Sequence, residues 1–156
     1  MQQDFGDEPE AHGGAVSIQR SHHRAFDMNT AQLKKFCGRF PAARKRLHEH
    51  PSNVLVYSVG GKHFAYFKTS EPERWRFSLW VGPEQFVALT DVPGIKPARY
   101  MGRYHWITIV DVQLMPAPFL KELVAGSYDK ALRSLSRAGR AEILQNTASA
   151  QNIKRP

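Results

Sequence analysis

The sequence contains a single cysteine, Cys37, so it can form no internal disulfide and cannot by itself assemble a thiolate metal site. No apolar run is long enough to cross a bilayer, and the N-terminus lacks the basic-then-apolar order of a secretion signal. These absences lead us to expect a cytoplasmic protein. There is no glycine-rich phosphate loop, no G-x-S-x-G nucleophile turn and no internal repeat. Acidic residues are few, 14 against 22 lysines and arginines. With no cross-link to help, the fold has to be held by packing, and 156 residues with 42% apolar content suit one domain around one core.

The formal net charge of +8 is unevenly spread. Residues 1–28 carry five acidic side chains (Asp4, Asp7, Glu8, Glu10, Asp27) against Arg20 and Arg24, a net −3, which leaves +11 on the remainder. A domain that basic attracts polyanions, because lysine and arginine displace the counterions held around phosphates. A basic surface also serves solubility alone, and charge does not separate the two readings.

Residues 1–28 show no sustained period, carry Pro9 and Gly13-Gly14, and read as a disordered acidic tail. Order is expected to begin at the capping pair Asn29-Thr30, with Leu33, Phe36, Cys37 and Phe40 at helical spacing and a stop at Gly38 and Pro41. Val54–Val59 and His63–Thr69 flank Gly60-Gly61 as a hairpin, and Arg74–Val81 alternates as a further strand. A short helix starts at Gly82-Pro83, a loop runs over 95–102, a strand over 105–111, and the longest helix opens at Pro116 and Pro118. A last short helix is expected over 137–144, and the polar end, 146–156, is expected to be a flexible tail. The domain then spans 29–145. This order predicts an α+β fold, an antiparallel sheet with helices packed on one face.

Several stretches resemble the MmcQ/YjbR family. Phe40-Pro41-Ala42-Ala43 is similar to its early turn, Val59-Gly60-Gly61-Lys62-His63-Phe64-Ala65 to its hairpin, and Arg76–Glu84 to its strand-to-helix segment. Pro93-Gly94-Ile95, Pro97–Gly102, Trp106–Ile109 and Leu123–Tyr128 follow in the family's order, so the resemblance covers about residues 30 to 136. It implies a CyaY-like fold, related to frataxin, and DNA binding through what has been described as a double-wing arrangement. Trp80 stands where the family commonly has lysine, and Arg44-Lys45-Arg46 where acidic residues are common. The first difference removes a phosphate contact, and the second adds several.

The candidate nucleic-acid-binding residues are Arg44, Lys45 and Arg46, read as a turn; Arg74, Arg76 and Trp80 on one strand; and Arg99 with Arg103. An outward Trp80 beside two arginines would stack on a base, while the competing reading has it covered by the tail, a helix or a second subunit. Arg44-Lys45-Arg46 is equally well read as a solvated charge run. Arg133, Arg137 and Arg140 are expected on an exposed helical face. Trp106 and Tyr128 fit core positions.

Cys37, on the apolar helix face, suits a structural thiol, and Ser127 lacks a nucleophile's context. His48 and His50 flank Glu49 without the company of a ligand set, and an iron role like frataxin's is disfavoured by the charge. The expectation is therefore a protein with no catalytic site, cofactor or metal, binding duplex DNA with little sequence preference. The alternative is a protein-interaction domain that uses the open sheet face, as a homodimer or with another partner.

Overall fold

Helix α1 (Thr30–Gly38) begins at the capping residue that the sequence marks. In the computed structural model, which describes residues 27–71 and 76–154 (149–154 as backbone only), the Asn29 side chain accepts from the Gln32 N–H at 2.8 Å and the Gln32 side chain accepts from the Asn29 N–H at 2.9 Å. This reciprocal pair satisfies donors that a helix start otherwise leaves open. Leu33 and Cys37, four residues apart, share one face and are fully buried. The expected acidic tail lies outside the described residues except for Asp27 and Met28, and Met28 already belongs to the core.

Six strands follow: β1 (Ala43–His48), β2 (Val54–Val59), β3 (Lys62–Lys68), β4 (Phe77–Trp80), β5 (Ile95–Pro97) and β6 (Trp106–Ile109). They form one antiparallel sheet in the order β1-β2-β3-β4-β6-β5. The β2–β3 hairpin turns on Gly60 (φ 56°) and Gly61 (φ 84°), the left-handed pair that matches strand twist in a tight turn. Gly60 is required a second time by packing, since a Cβ there would lie 2.7 Å from the Leu135 side chain.

Two elements correct the sequence reading. Arg44-Lys45-Arg46 is not a turn: it lies in β1, an edge strand paired along its whole length with β2, from Ala43 opposite Val59 to His48 opposite Val54. The segment has no β-branched residue to announce a strand. Cations on an edge strand also oppose pairing with another chain's edge. The expected loop over 95–102 contains β5 at the other edge, where proline is tolerated because one side of the strand needs no partner.

Helix α2 (Pro83–Leu89) starts at its proline as expected and is joined to β5 by a turn at Gly94. Helix α3 (Ala117–Arg133) lays Leu120, Leu123, Val124, Tyr128 and Ala131 on the sheet. Opposite them are Tyr57 and Val59 of β2, Phe64 and Phe67 of β3, Phe77 and Leu79 of β4, and Ile107 and Ile109 of β6, all in the same core. The Phe40 and Tyr128 rings stack at 4.6 Å, and the Tyr128 hydroxyl donates to the Pro41 carbonyl at 2.8 Å. Helix α4 runs over Arg137–Lys154, beyond the short helix expected over 137–144. The result is the expected α+β sheet with one face covered by helices, and its other face is where the cations gather.

Candidate functional site

The alternation of β2, β3, β4 and β6 sends every second side chain away from the helices. Val54, Val56, Tyr66, Lys68, Ser78, Trp106 and Thr108 point to this second face, where the loop after β5 raises a wall. The groove between has a volume of about 800 Å³. Its floor is apolar and aromatic, with Ser78 and Thr108 sharing one hydrogen bond at 2.8 Å. Lys68, Arg76, Lys96, Arg99, His48 and His63 supply its polar lining, and no carboxylate is found among the described residues that line it.

The two ends of the sheet bring cations to the same face. Arg46 lies opposite Val56 and two residues before His48, so it shares their side of the sheet, as does Arg44 opposite Ser58. Lys45 points to the helical side. At the far edge Lys96 lies opposite Thr108, a floor residue. Arg99 lines the wall, while Arg103 stands outside the groove with its guanidinium 4.9 Å from the Tyr104 ring. Arg74 lies outside the described residues. Arg133 pairs with Asp129 at 2.9 Å on α3.

Trp80 does not join Arg76 on the groove floor. It is half-buried and lines a second cavity of about 340 Å³, where Lys130 of α3 sits 5.2 Å from its ring centroid. Of the two readings, cover by a helix is the one realised. Beside this cavity β3 and β4 part: their register holds from Lys68, whose N–H donates to the Arg76 carbonyl at 3.1 Å, as far as Tyr66–Ser78. Continued, that register would set Phe64 opposite Trp80. Instead the Ser127 hydroxyl stands between them, donating to the Phe64 carbonyl at 2.7 Å and accepting from the Trp80 N–H at 3.2 Å. Ser127 thus replaces a rung of the ladder, its hydroxyl held between two backbone groups. Burial pushes the Cys37 thiol up to about 12, which disfavours its thiolate near neutrality.

Tyr66 links the two cavities. Its hydroxyl lies 2.8 Å from His63 Nδ1, and its ring is tilted against Trp106 at 5.0 Å. Trp106 is buried as expected, yet under the groove and not within the helical core. Burial and the nearby His48 lower the pKa of His63 from its ordinary 6.5. The folded state therefore takes up its proton at lower pH than the unfolded chain, and stability present above 6.5 declines as pH falls through that lowered value. Urea melts from pH 7.5 to 5 should show the decline, and His63→Gln should flatten it.

Sequence reasoning missed Lys68, Lys96, Tyr66 and Tyr100 as groove residues. The period-2 rule reaches Tyr66 and Lys68 once β3 is known, since they stand two apart. Nothing in the sequence points to Lys96 or Tyr100, whose position depends on the unrecognised β5.

Among the described residues no helix is long and apolar enough to cross a membrane, and no three His, Cys, Asp or Glu side chains come together as a metal site. No functionally curated protein matches the sequence. Among the solved structures that share the fold are two with TM-scores above 0.5. One is the crystal structure of a Deinococcus radiodurans protein with a DUF419 domain, similar at a TM-score of 0.66 and 24% identity over 78% of this chain and 91% of that one. The other is a Pseudomonas syringae protein, similar at a TM-score of 0.55 and 22% identity over 67% of this chain and 99% of that one. The family model described as YjbR matches residues 38–130, a span that holds the hairpin, the groove floor, its wall and Ser127, and the chain belongs to the YjbR family.

Proposed function

We propose that this protein is a non-enzymatic DNA-binding module that holds the phosphates of its ligand along the open face of the sheet. The observation that carries the reading is the groove itself: Lys68, Arg76, Lys96 and Arg99 line it, Arg44 and Arg46 share its face at the β1 edge, and the described lining contains no carboxylate to oppose an anion. A surface that served only solubility would mix signs and would not concentrate one sign over an apolar floor. The +11 charge outside the first 28 residues supports the same ligand class. Contacts of this kind go to the phosphate backbone, so sequence preference should be weak.

Non-enzymatic action fits the two nucleophile candidates, since Ser127 and Cys37 are both spent on the core. The test is fluorescence anisotropy of the full chain with labelled DNA of mixed sequence at about 50 and 200 mM salt. Binding that weakens at least tenfold between the two is the expected result, and no binding at the lower salt would overturn the proposal.

One observation favours the rival, a protein-interaction domain. Leu47 on edge strand β1 is 53% exposed, an apolar side chain where a second chain could pack. Concentration-dependent mass in sedimentation is the mark of that arrangement. The three consecutive cations of the same strand weigh against it.

A further inference from the structure

We infer that the groove takes a single strand of nucleic acid, with unpaired bases stacked against Tyr100 and Tyr66 and phosphates held by the flanking cations, in place of the duplex expected from the sequence. The inference rests on the nucleic-acid reading above and adds to it the form of the ligand.

Tyr100 is the first observation. It projects from the groove wall with 88% of its surface exposed, and its backbone is left-handed at φ 70°. That conformation is unfavourable for a bulky residue, and so little burial returns almost no hydrophobic stabilisation. Neither backbone preference nor packing accounts for an aromatic side chain there. An unfavourable residue held in place on a groove wall is the kind of outlier that points to a ligand.

The loop that carries it is also fixed. The Ala98 N–H donates to the Trp106 carbonyl at 2.9 Å, the Trp106 N–H to the Met101 carbonyl at 3.3 Å, and the Tyr104 N–H to the same carbonyl at 3.0 Å. Gly102 packs against Pro97 so closely that a Cβ would lie 3.0 Å from the proline ring. Tyr100 is therefore displayed by an ordered loop, which limits the entropy lost when a ligand stacks on it. Arg99 stands beside it to meet the adjoining phosphate.

The floor is the second observation. Tyr66 is held at its hydroxyl by His63 and braced from the side by Trp106. Val54, Val56 and Ala98 continue an apolar surface beneath the cations. A duplex keeps its bases paired and stacked inside and offers a protein phosphates and groove edges, so such a floor would meet no apolar counterpart. A single strand offers exposed base faces together with phosphates, the pairing of surfaces that aromatic and basic grooves recognise.

The experiment compares three labelled probes in anisotropy at about 50 mM salt: oligothymidylate of about 12 nucleotides, an abasic strand of equal length, and a hairpin duplex with the same number of phosphates. We expect the oligothymidylate to bind at least tenfold tighter than either other probe. Tyr100→Ala should remove about tenfold of that affinity, and Tyr100→Phe, which keeps the ring, should remove none. Equal or tighter binding of the duplex, or no effect of Tyr100→Ala, overturns the single-strand inference and leaves the phosphate reading standing. If none of the three probes binds, both fall.

Discussion

Ser127→Ala should lower the free energy of unfolding by about 2 to 4 kcal/mol, because it strands two backbone groups at once. The Ser127 hydroxyl is the partner of both the Phe64 carbonyl and the Trp80 N–H at the point where β3 and β4 separate. Phe64 and Ser127 are buried, and each unmet group costs about 1 to 3 kcal/mol. The neighbouring Gly126→Ala supplies the comparison. A Cβ at Gly126 meets nothing within 4 Å, so the change should be neutral or stabilising by up to about 1 kcal/mol through helix propensity. Urea denaturation of the two variants with unchanged m-values decides the matter. A loss below about 1 kcal/mol for Ser127→Ala would mean that the hydroxyl does not bridge the strands.

Replacing Arg46, Lys96 and Arg99 together by glutamine should weaken DNA binding about 100-fold at low salt. The three stand at opposite edges of the groove face, all exposed and none hydrogen-bonded or ion-paired among the described residues. At about 1 kcal/mol for each exposed ion pair with a phosphate, their removal amounts to about 3 kcal/mol. The dependence of log affinity on log salt should flatten by about 2 to 3, since each lost contact releases fewer counterions. The fold should be unaffected, because glutamine preserves much of the side-chain length and no buried contact is touched. Removing the same charge from Lys35, Arg39 and Arg137, exposed residues that do not line the groove, should change affinity no more than about threefold, as charges away from the contact are screened by salt. Equal losses from both triple variants would show that net charge, and not this groove, governs binding.

Elements whose own residues announce them were legible. Asn29 with Gln32 marks a helix start chemically, Gly60-Gly61 marks a turn that few other pairs can make, and Phe77-Ser78-Leu79-Trp80 alternates over its whole length. The basic character on which the proposed ligand class rests was legible too, because it is a sum over residues. Arg99 and the arginines of β1 are legible as candidates from their charge alone, whereas the strand that carries Arg44 and Arg46, in place of the expected turn, is not.

Local sequence determined which segments are helix or hairpin, which faces are apolar, and that the domain outside its N-terminal 28 residues is strongly basic. Tertiary structure alone decided the rest. β1 and β5 are strands because β2 and β6 offer them ladders to complete, and a partner's hydrogen bonds outweigh weak local preference. The same pairing rotates Arg44 and Arg46 onto one face and brings Lys96 and Tyr100 across the sheet from them. For Trp80 the sequence leaves display and cover both open, and the parting of β3 and β4 around Ser127 sets it in a cavity beside Lys130 of α3. A groove is made of residues distant in the chain, and only the strand order, which no local pattern encodes, determines which of them meet.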